Sequence, residues 1–247
     1  MSIDLSANCI LHCKMNDNAA NKIVVDTSGQ GDDGTSQHNT DVLSAIGKLN
    51  CAFRNDDSIP DYTKFPSSAA ILGTTGFSVS FWMKLVDYNL AGAIVSQRIS
   101  SSNVGIWTVS FTVAKKIRFM TYNEGYGINL TTNNPVPNDS DWHWILCQRQ
   151  MPTGWGHIWI DNGNVDYVSQ ATGCKSLNSH PIYYGSNFQG NYPVDAYLDC
   201  FGLWGNNKFI NAEERAFLWN NGLGTENLKS CTRPLVGGSL AGKRGLT

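Results

Sequence analysis

Charge is scarce in this chain. Only 15% of its 247 residues are Asp, Glu, Lys or Arg, and the net charge is −2. That argues against nucleic acid, or an anionic membrane surface, as a partner recruited by bulk electrostatics. Glutamate is rarer still, limited to Glu124, Glu213, Glu214 and Glu226. Glycoside cleavage ordinarily needs two carboxylates flanking the bond, and no Glu-x-Asp-x-x-Glu strand is present. No apolar run approaches the roughly 20 residues of a membrane-spanning helix, so no membrane insertion is expected. The opening MSIDLSANCILHCKMNDN has neither a basic leader nor a small-residue cleavage site, and is not read as a signal peptide. Paired cysteine motifs are also missing. The seven cysteines contain no CxxC, which disfavours a zinc site. Cys9 and Cys13, four apart on a strand, would sit roughly 13 Å from each other, too far for a disulfide. They read as reduced, small hydrophobic residues.

What the chain does have is alternation. In GFSVSFWMKL, Phe77, Val79, Phe81, Met83 and Leu85 fall on one face, with Ser78, Ser80, Trp82 and Lys84 on the other. This predicts a half-buried strand. Similar runs occur at 93–98, 106–112, 117–122, 142–149, 156–161, 181–184 and 197–204, separated by turn residues such as those of Asp161-Asn-Gly-Asn164. Many short strands at regular spacing imply a sandwich or barrel. One stretch changes period. Asn211–Gly222 offers Asn211 as N-cap, Glu214 at the capping-box position and Gly222 as a stop, with Phe217 and Leu218 on the buried face. After Glu226 the chain becomes glycine-rich, with four basic residues and no acidic ones. The expected organisation is one domain over 1–226 and a basic tail over 227–247.

Five segments, CILHCKMND, DTSGQGDDGT, GFSVSFWMK, DWHWILCQR with GHIWIDNG, and YLDCFGLWGNNKFINAEERAFLWNNGLGTE, come in an order that resembles the laminin-G-like jelly rolls of the concanavalin-A-like superfamily. The resemblance covers roughly residues 5–226. It implies an all-β fold, a two-sheet antiparallel β-sandwich (jelly roll) with one short C-terminal helix and termini brought close together. The chain departs from the family pattern at Cys200, where a second acid usually follows the equivalent of Asp199. It departs again at Gln30 and Asp32, where Asn is more usual.

The segment DTSGQGDDGT places three carboxylates and three glycines in ten residues after a strand-like run. Calcium takes six to eight oxygen ligands, and a glycine-rich loop can turn its carbonyls inward to supply some of them. In the resembling family this loop lies beside the strand carrying the late Asp, and several members hold a calcium there. By position, Asp26, Asp32, Thr35 and Asp199 are the candidate ligands of a structural calcium, with Asp33 a weaker one. The alternative is a metal-free cluster of Asx-turns.

Three functional classes remain. Catalysis is disfavoured by the few glutamates, by isolated histidines, and by His143 occupying a position that is structural in the resembling family. Saccharide binding is suggested by aromatic residues in loop-rich segments, since sugar rings dock on aromatic faces while amides bond their hydroxyls. The candidates are Tyr126, Tyr183, Tyr184, Phe188, Tyr192 and Trp155, with ordinary packing between sheets as the other role for each. The third class is a building block. The tail, bearing Lys229, Arg233, Lys243 and Arg244, would dock on a neighbouring virion or homo-oligomer subunit, or pack on its own domain. The expected function is a non-catalytic recognition or decoration protein, exposed on a phage particle or extracellular surface. It would bind a glycan or host surface polysaccharide. A free-standing lectin is the alternative, and a polysaccharide-degrading enzyme a lesser one.

Overall fold

The computed structural model describes residues 2–58, 61–98, 104–123, 127–163, 165–169, 176–188 and 190–230. With strands numbered in chain order, the first sheet runs β14 (Val165–Ser169), β13 (Trp155–Ile160), β12 (His143–Gln150), β7 (Phe77–Leu85), β16 (Ala196–Trp204), β5 (Cys51–Asn55), β4 (Ser44–Ile46). An eighth strand, β1 (Cys9–Cys13), also pairs with β16. The second sheet runs β11 (Asn129–Thr131), β10 (Ile117–Tyr122), β9 (Ile106–Phe111), β8 (Gly92–Gln97), β15 (Ile182–Tyr184), β6 (Thr63–Phe65), β3 (Gly34–Ser36), β2 (Ile23–Val24). All pairings within both sheets are antiparallel. This is a two-sheet sandwich, one of the two forms that the alternation implied, and the jelly roll that the family resemblance implied.

Period two places Phe77, Val79, Phe81 and Met83 between the sheets, facing Trp107, Val109, Phe119 and Tyr184 in one interior core. Phe77 and Trp107 meet at 5.1 Å between ring centroids, and Tyr184 stacks on Phe201 at 4.8 Å. The half-buried reading of β7 needs correction, because its outward face is buried too. A second apolar layer of Trp82, Trp144, Trp159, Trp204, Ile210 and Leu218 covers the outside of the first sheet. Helix α2 (Ala212–Trp219) closes that layer, with Trp219 stacked on Trp82 at 5.3 Å and 16°. Ser78 looked solvent-facing in sequence. Its hydroxyl donates to the Lys208 carbonyl (2.7 Å) and accepts from Gln148 Nε2 (2.8 Å), which anchors the segment leading into the helix.

The capping box is present as expected. Glu214 N–H donates to Asn211 Oδ1 (3.0 Å) and Asn211 N–H to Glu214 Oε2 (2.9 Å). Leu218 is buried as expected, while Phe217 is only half-buried. A one-turn helix, α1 (Thr40–Leu43), was not anticipated. Near the ends, Leu5 N–H donates to the Leu228 carbonyl, Ser230 N–H donates to the Ile3 carbonyl, and Asp4 pairs with Lys229 at 3.0 Å. Ordered pairing thus continues past Glu226 to Ser230. The rest of the basic tail, Arg233, Lys243 and Arg244 among it, lies outside the described residues.

The outer face of the second sheet is buried along β8 and β15 but has no such cover at β10 and β11. On β10, Ile117 and Phe119 point into the core while Arg118, Met120 and Tyr122 alternate outward, half-exposed. Asn129 and Thr131 on β11 are exposed beside them.

Candidate functional site

A groove of about 320 Å³ lies on this open face, floored by β8, β9 and β10. Thr108, Ser110 and Arg118 supply its polar floor, with Arg118 directly across from Ser110 in the ladder. Asn187 and Tyr192 form one wall. They belong to the 185–194 loop, which closes on itself through Asn187 N–H to the Asn191 carbonyl (2.9 Å) and Val194 N–H to the Gly185 carbonyl (3.1 Å). Ala93 N–H donates to the Tyr192 carbonyl (2.8 Å), tying the loop to β8. Gly185 permits the approach. Its φ is +96°, and a Cβ there would meet the Asn55 amide at 1.6 Å. Arg98 reaches Asn187 Oδ1 at 3.4 Å and lies 5.8 Å over the Phe188 ring. Arg118 donates from Nε to Asn129 Oδ1 at 2.9 Å, and its Nη2 lies 3.7 Å from the Met120 sulfur.

Of the aromatic residues that the sequence suggested for sugar contact, Tyr192 fits best, 75% exposed at the groove. Phe188 lies under Arg98 and is not among the lining residues. Tyr184 must be reassigned. It faces inward from β15 between Phe201 and Phe81, and burial holds its hydroxyl well above the usual tyrosine range. Tyr183 shares the groove's sheet face but is buried, edge-on to Tyr62 at 5.6 Å. Both rings sit on a strand, where alternation and not loop exposure sets their environment. Trp155 opens β13 on the other sheet, stacked on His157 at 6.1 Å. Tyr126 lies outside the described residues. Arg98, Thr108, Ser110, Arg118 and Asn187 were not singled out from sequence. The signal for the strand residues was the polar half of the alternation in β9 and β10.

The sheet order, the closing helix and the paired ends can now be set against known proteins. A laminin-G-type model of the concanavalin A-like lectin/glucanases superfamily matches residues 56–214. The chain belongs to the concanavalin A-like lectin/glucanase superfamily. None of the curated proteins compared matches it in sequence. Among solved structures, the binding domain of Paraclostridial Mosquitocidal Protein 1 superposes with a TM-score of 0.66 at 15% identity, covering 88% of this chain and 53% of that one. The botulinum neurotoxin serotype C1 binding domain gives 0.66 at 16%, covering 90% and 53%. The serotype D/C binding domain gives 0.65 at 16%, covering 89% and 53%. The chain therefore shares their fold and spans about half their length.

On this lectin-like frame the acidic loop has a specific task. Strand β1 lies at the margin of the first sheet, and the loop takes up its outward-facing backbone groups. His12 N–H donates to Asp26 Oδ1 (3.0 Å), Thr27 N–H donates to the His12 carbonyl (2.8 Å), and Ser28 Oγ donates to the Ile10 carbonyl (3.2 Å). Covering an exposed edge in this way prevents further strand pairing. Asp26 also accepts from Ser28 N–H (2.9 Å), Ser28 Oγ (2.7 Å) and Asp32 N–H (3.3 Å). Asp33 accepts from Asp26 N–H (2.8 Å), and Asp32 from the Ser68 hydroxyl.

The expected calcium set does not fit this arrangement. The oxygens of Asp26 are occupied by four donors, Thr35 is an exposed strand residue, and Asp199 accepts from Leu49 N–H (2.8 Å) and makes no hydrogen bond to the loop. Among the described residues no three His, Cys, Asp or Glu side chains are grouped to hold a metal. Asp199 is fully buried and its Oδ1 has no hydrogen-bond partner. Burial, opposed by the Leu49 and Cys200 amides, pushes its carboxyl up to about 7.

His38, which looked isolated in sequence, and His143, which the resemblance placed in a structural position, both have carboxylate partners. His38 Nδ1 sits 2.5 Å from Asp61 Oδ1, but the nearby Ser36 hydroxyl donates to the Lys22 and His38 carbonyls instead of serving an imidazole. His143 is clamped by Asp161 (2.6 Å) and Asp139 (3.1 Å). Burial opposes its charge, yet the two carboxylates outweigh it and raise its pKa. Asp161 also accepts from Trp144 N–H (2.8 Å), so the clamp fixes the start of β12. Glu214 serves the helix cap, and Glu226 accepts from Asn16 and Asn50, both at 2.8 Å.

Proposed function

We propose that the chain is a non-catalytic saccharide-binding module that binds through the open face of its second sheet. One observation carries this reading. Of the two outer faces, one is sealed by a tryptophan layer and a helix, while the other presents a polar groove walled by an exposed tyrosine. Hydroxyls, an amide and an aromatic face in one concavity are the groups that a sugar ring uses. The size falls within the range of small-ligand sites, about 300–1,000 Å³. The shared fold supports it in a general way. A botulinum neurotoxin of type C among the neighbours enters cells by interaction with two ganglioside molecules.

The test is a glycan array probed with the full chain, beside a Tyr192→Ala variant. Binding that falls tenfold or more in the variant, with an unchanged melting temperature, is the expected result. Undiminished binding in Tyr192→Ala together with a groove-filling Ser110→Trp would move the site elsewhere. The non-catalytic part predicts that no reducing ends appear when β-glucans or alginate are incubated with the protein. Its proposed setting is an exterior surface, such as that of a phage particle, with the basic tail beyond Ser230 meeting a neighbouring subunit. Sedimentation of a chain ending at Ser230 tests that contact, since loss of assembly supports it and unchanged assembly overturns it.

A further inference from the structure

Among the described residues that line it, the groove carries charge of one sign. Its lining includes the guanidinium groups of Arg98 and Arg118, and no carboxylate among the described lining residues. This contrasts with a molecule whose net charge is −2. Arg118 makes the contrast useful. Elsewhere Arg54 pairs with Asp195 and Lys208 with Glu214, whereas the partners of Arg118 are the neutral amide of Asn129 and the Met120 thioether. Those contacts engage Nε and Nη2 and leave Nη1, on a residue that lines the groove, with no partner among the described residues. A planar guanidinium fixed in this way matches a carboxylate or sulfate with two parallel N–H donors, which a lysine ammonium does not reproduce.

We propose that the groove selects acidic saccharides, sugars bearing a carboxylate or sulfate, with Arg118 as the residue that reads the acid group. This rests on the saccharide-binding reading above and narrows it. The acid would sit end-on against Arg118. Ser110, directly across the ladder, would meet a neighbouring ring hydroxyl, and Tyr192 would cover the C–H face of the ring. A half-buried guanidinium already held by neutral partners loses little side-chain freedom on binding, so its charge-assisted bonds contribute to selectivity with little ordering cost.

The experiment compares matched pairs on the full chain: oligogalacturonate against its carboxyl-reduced form, and sulfated against desulfated galactan oligosaccharides. The acidic member of at least one pair should bind about tenfold tighter or more, the usual scale for a charged hydrogen bond. That preference should weaken as salt rises. Arg118→Gln should abolish the preference without changing the melting temperature, and Arg118→Lys should restore only part of it. If both members of every pair bind equally, the acid selectivity is wrong and the saccharide reading stands. Silence toward every sugar on the array would instead remove the saccharide reading itself. Equal competition by inorganic polyphosphate would show plain anion attraction and overturn the proposal. Should Arg118→Gln unfold, the matched pairs on the unaltered protein and on Arg118→Lys still decide it.

Discussion

The two outer faces of this sandwich start from the same pattern and end in opposite conditions. Strand β7 alternates apolar residues with Ser78, Ser80 and Trp82, while β10 alternates them with Arg118, Met120 and Tyr122. The first outward set lies under tryptophans and a helix, whereas the second stays half-exposed and its Arg118 lines an open groove. Alternation fixes which residues face away from the core. Whether that outward face meets water depends on chain arriving from far away, here from residues 205–219. The sealed face contributes stability and the open one is available for recognition.

The largest expected effect breaks the sealed face. Trp82 is 1% exposed, stacked on Trp219, and part of the apolar layer with Trp144. Trp82→Ala should cost about 3–5 kcal/mol, the usual range for an aromatic residue deleted from a core. Ser110→Ala on the open face should change stability by no more than about 0.5 kcal/mol. Urea denaturation of both variants measures the difference. Similar costs for the two would show that the tryptophan layer is not the second core described above.

Much of the fold was legible because it is local. Strand positions followed from period two, and the helix from Asn211 and Glu214, whose cap depends on residues three apart. The buried status of Ser78 was not legible, since its partners, the Lys208 carbonyl and Gln148, are 130 and 70 residues away. For the same reason only part of the candidate site could be read. Tyr192 stood out as a loop aromatic residue, but Tyr184, eight residues earlier, faces the core from a strand of only three residues. Arg118 carried no signal beyond its outward position. Its importance appears only when β9 and the 185–194 loop are placed around it.

A smaller effect sharpens the comparison through pH. Asp199 is buried in the sealed sheet where β16 passes from its pairing with β5 to its pairing with β1. A carboxyl at the open groove would stay hydrated, whereas this one is raised from 3.8 to about 7, mainly by burial. The folded state therefore holds this proton more tightly than the unfolded chain does. The stability that Asp199 contributes is fully present below about pH 4 and is lost as pH rises toward 7, at up to about 1.4 kcal/mol per pH unit. Asp199→Asn should remove that slope. The informative quantity is the difference between the two stability curves from pH 4 to 7, because exposed acids such as Asp4, whose pKa is lowered by Ser6 and Lys229, are common to both. Parallel curves would mean that Asp199 titrates normally and that water reaches its Oδ1.

The smallest expected effect concerns the seam between the two sheets. The 26–33 loop follows β2 of the second sheet and binds the outward backbone of β1 in the first, so it joins the two regions compared here. Either a metal or the loop's own hydrogen bonds could hold that join. With Asp26 taking donors from His12, Ser28 and Asp32, the hydrogen bonds suffice. Excess chelator should then leave the melting temperature of metal-stripped protein unchanged, and added calcium should not raise it. Asp26→Ala should still destabilise, by roughly 1–3 kcal/mol for the buried His12 donor left unpaired. A ligand bound only to the folded state raises stability in proportion to the logarithm of its concentration. A melting temperature that climbs steadily with calcium would therefore show that the loop rearranges around an ion, and Asp26→Ala should abolish that climb. Without it, the acidic loop is a clasp made of carboxylates and amides.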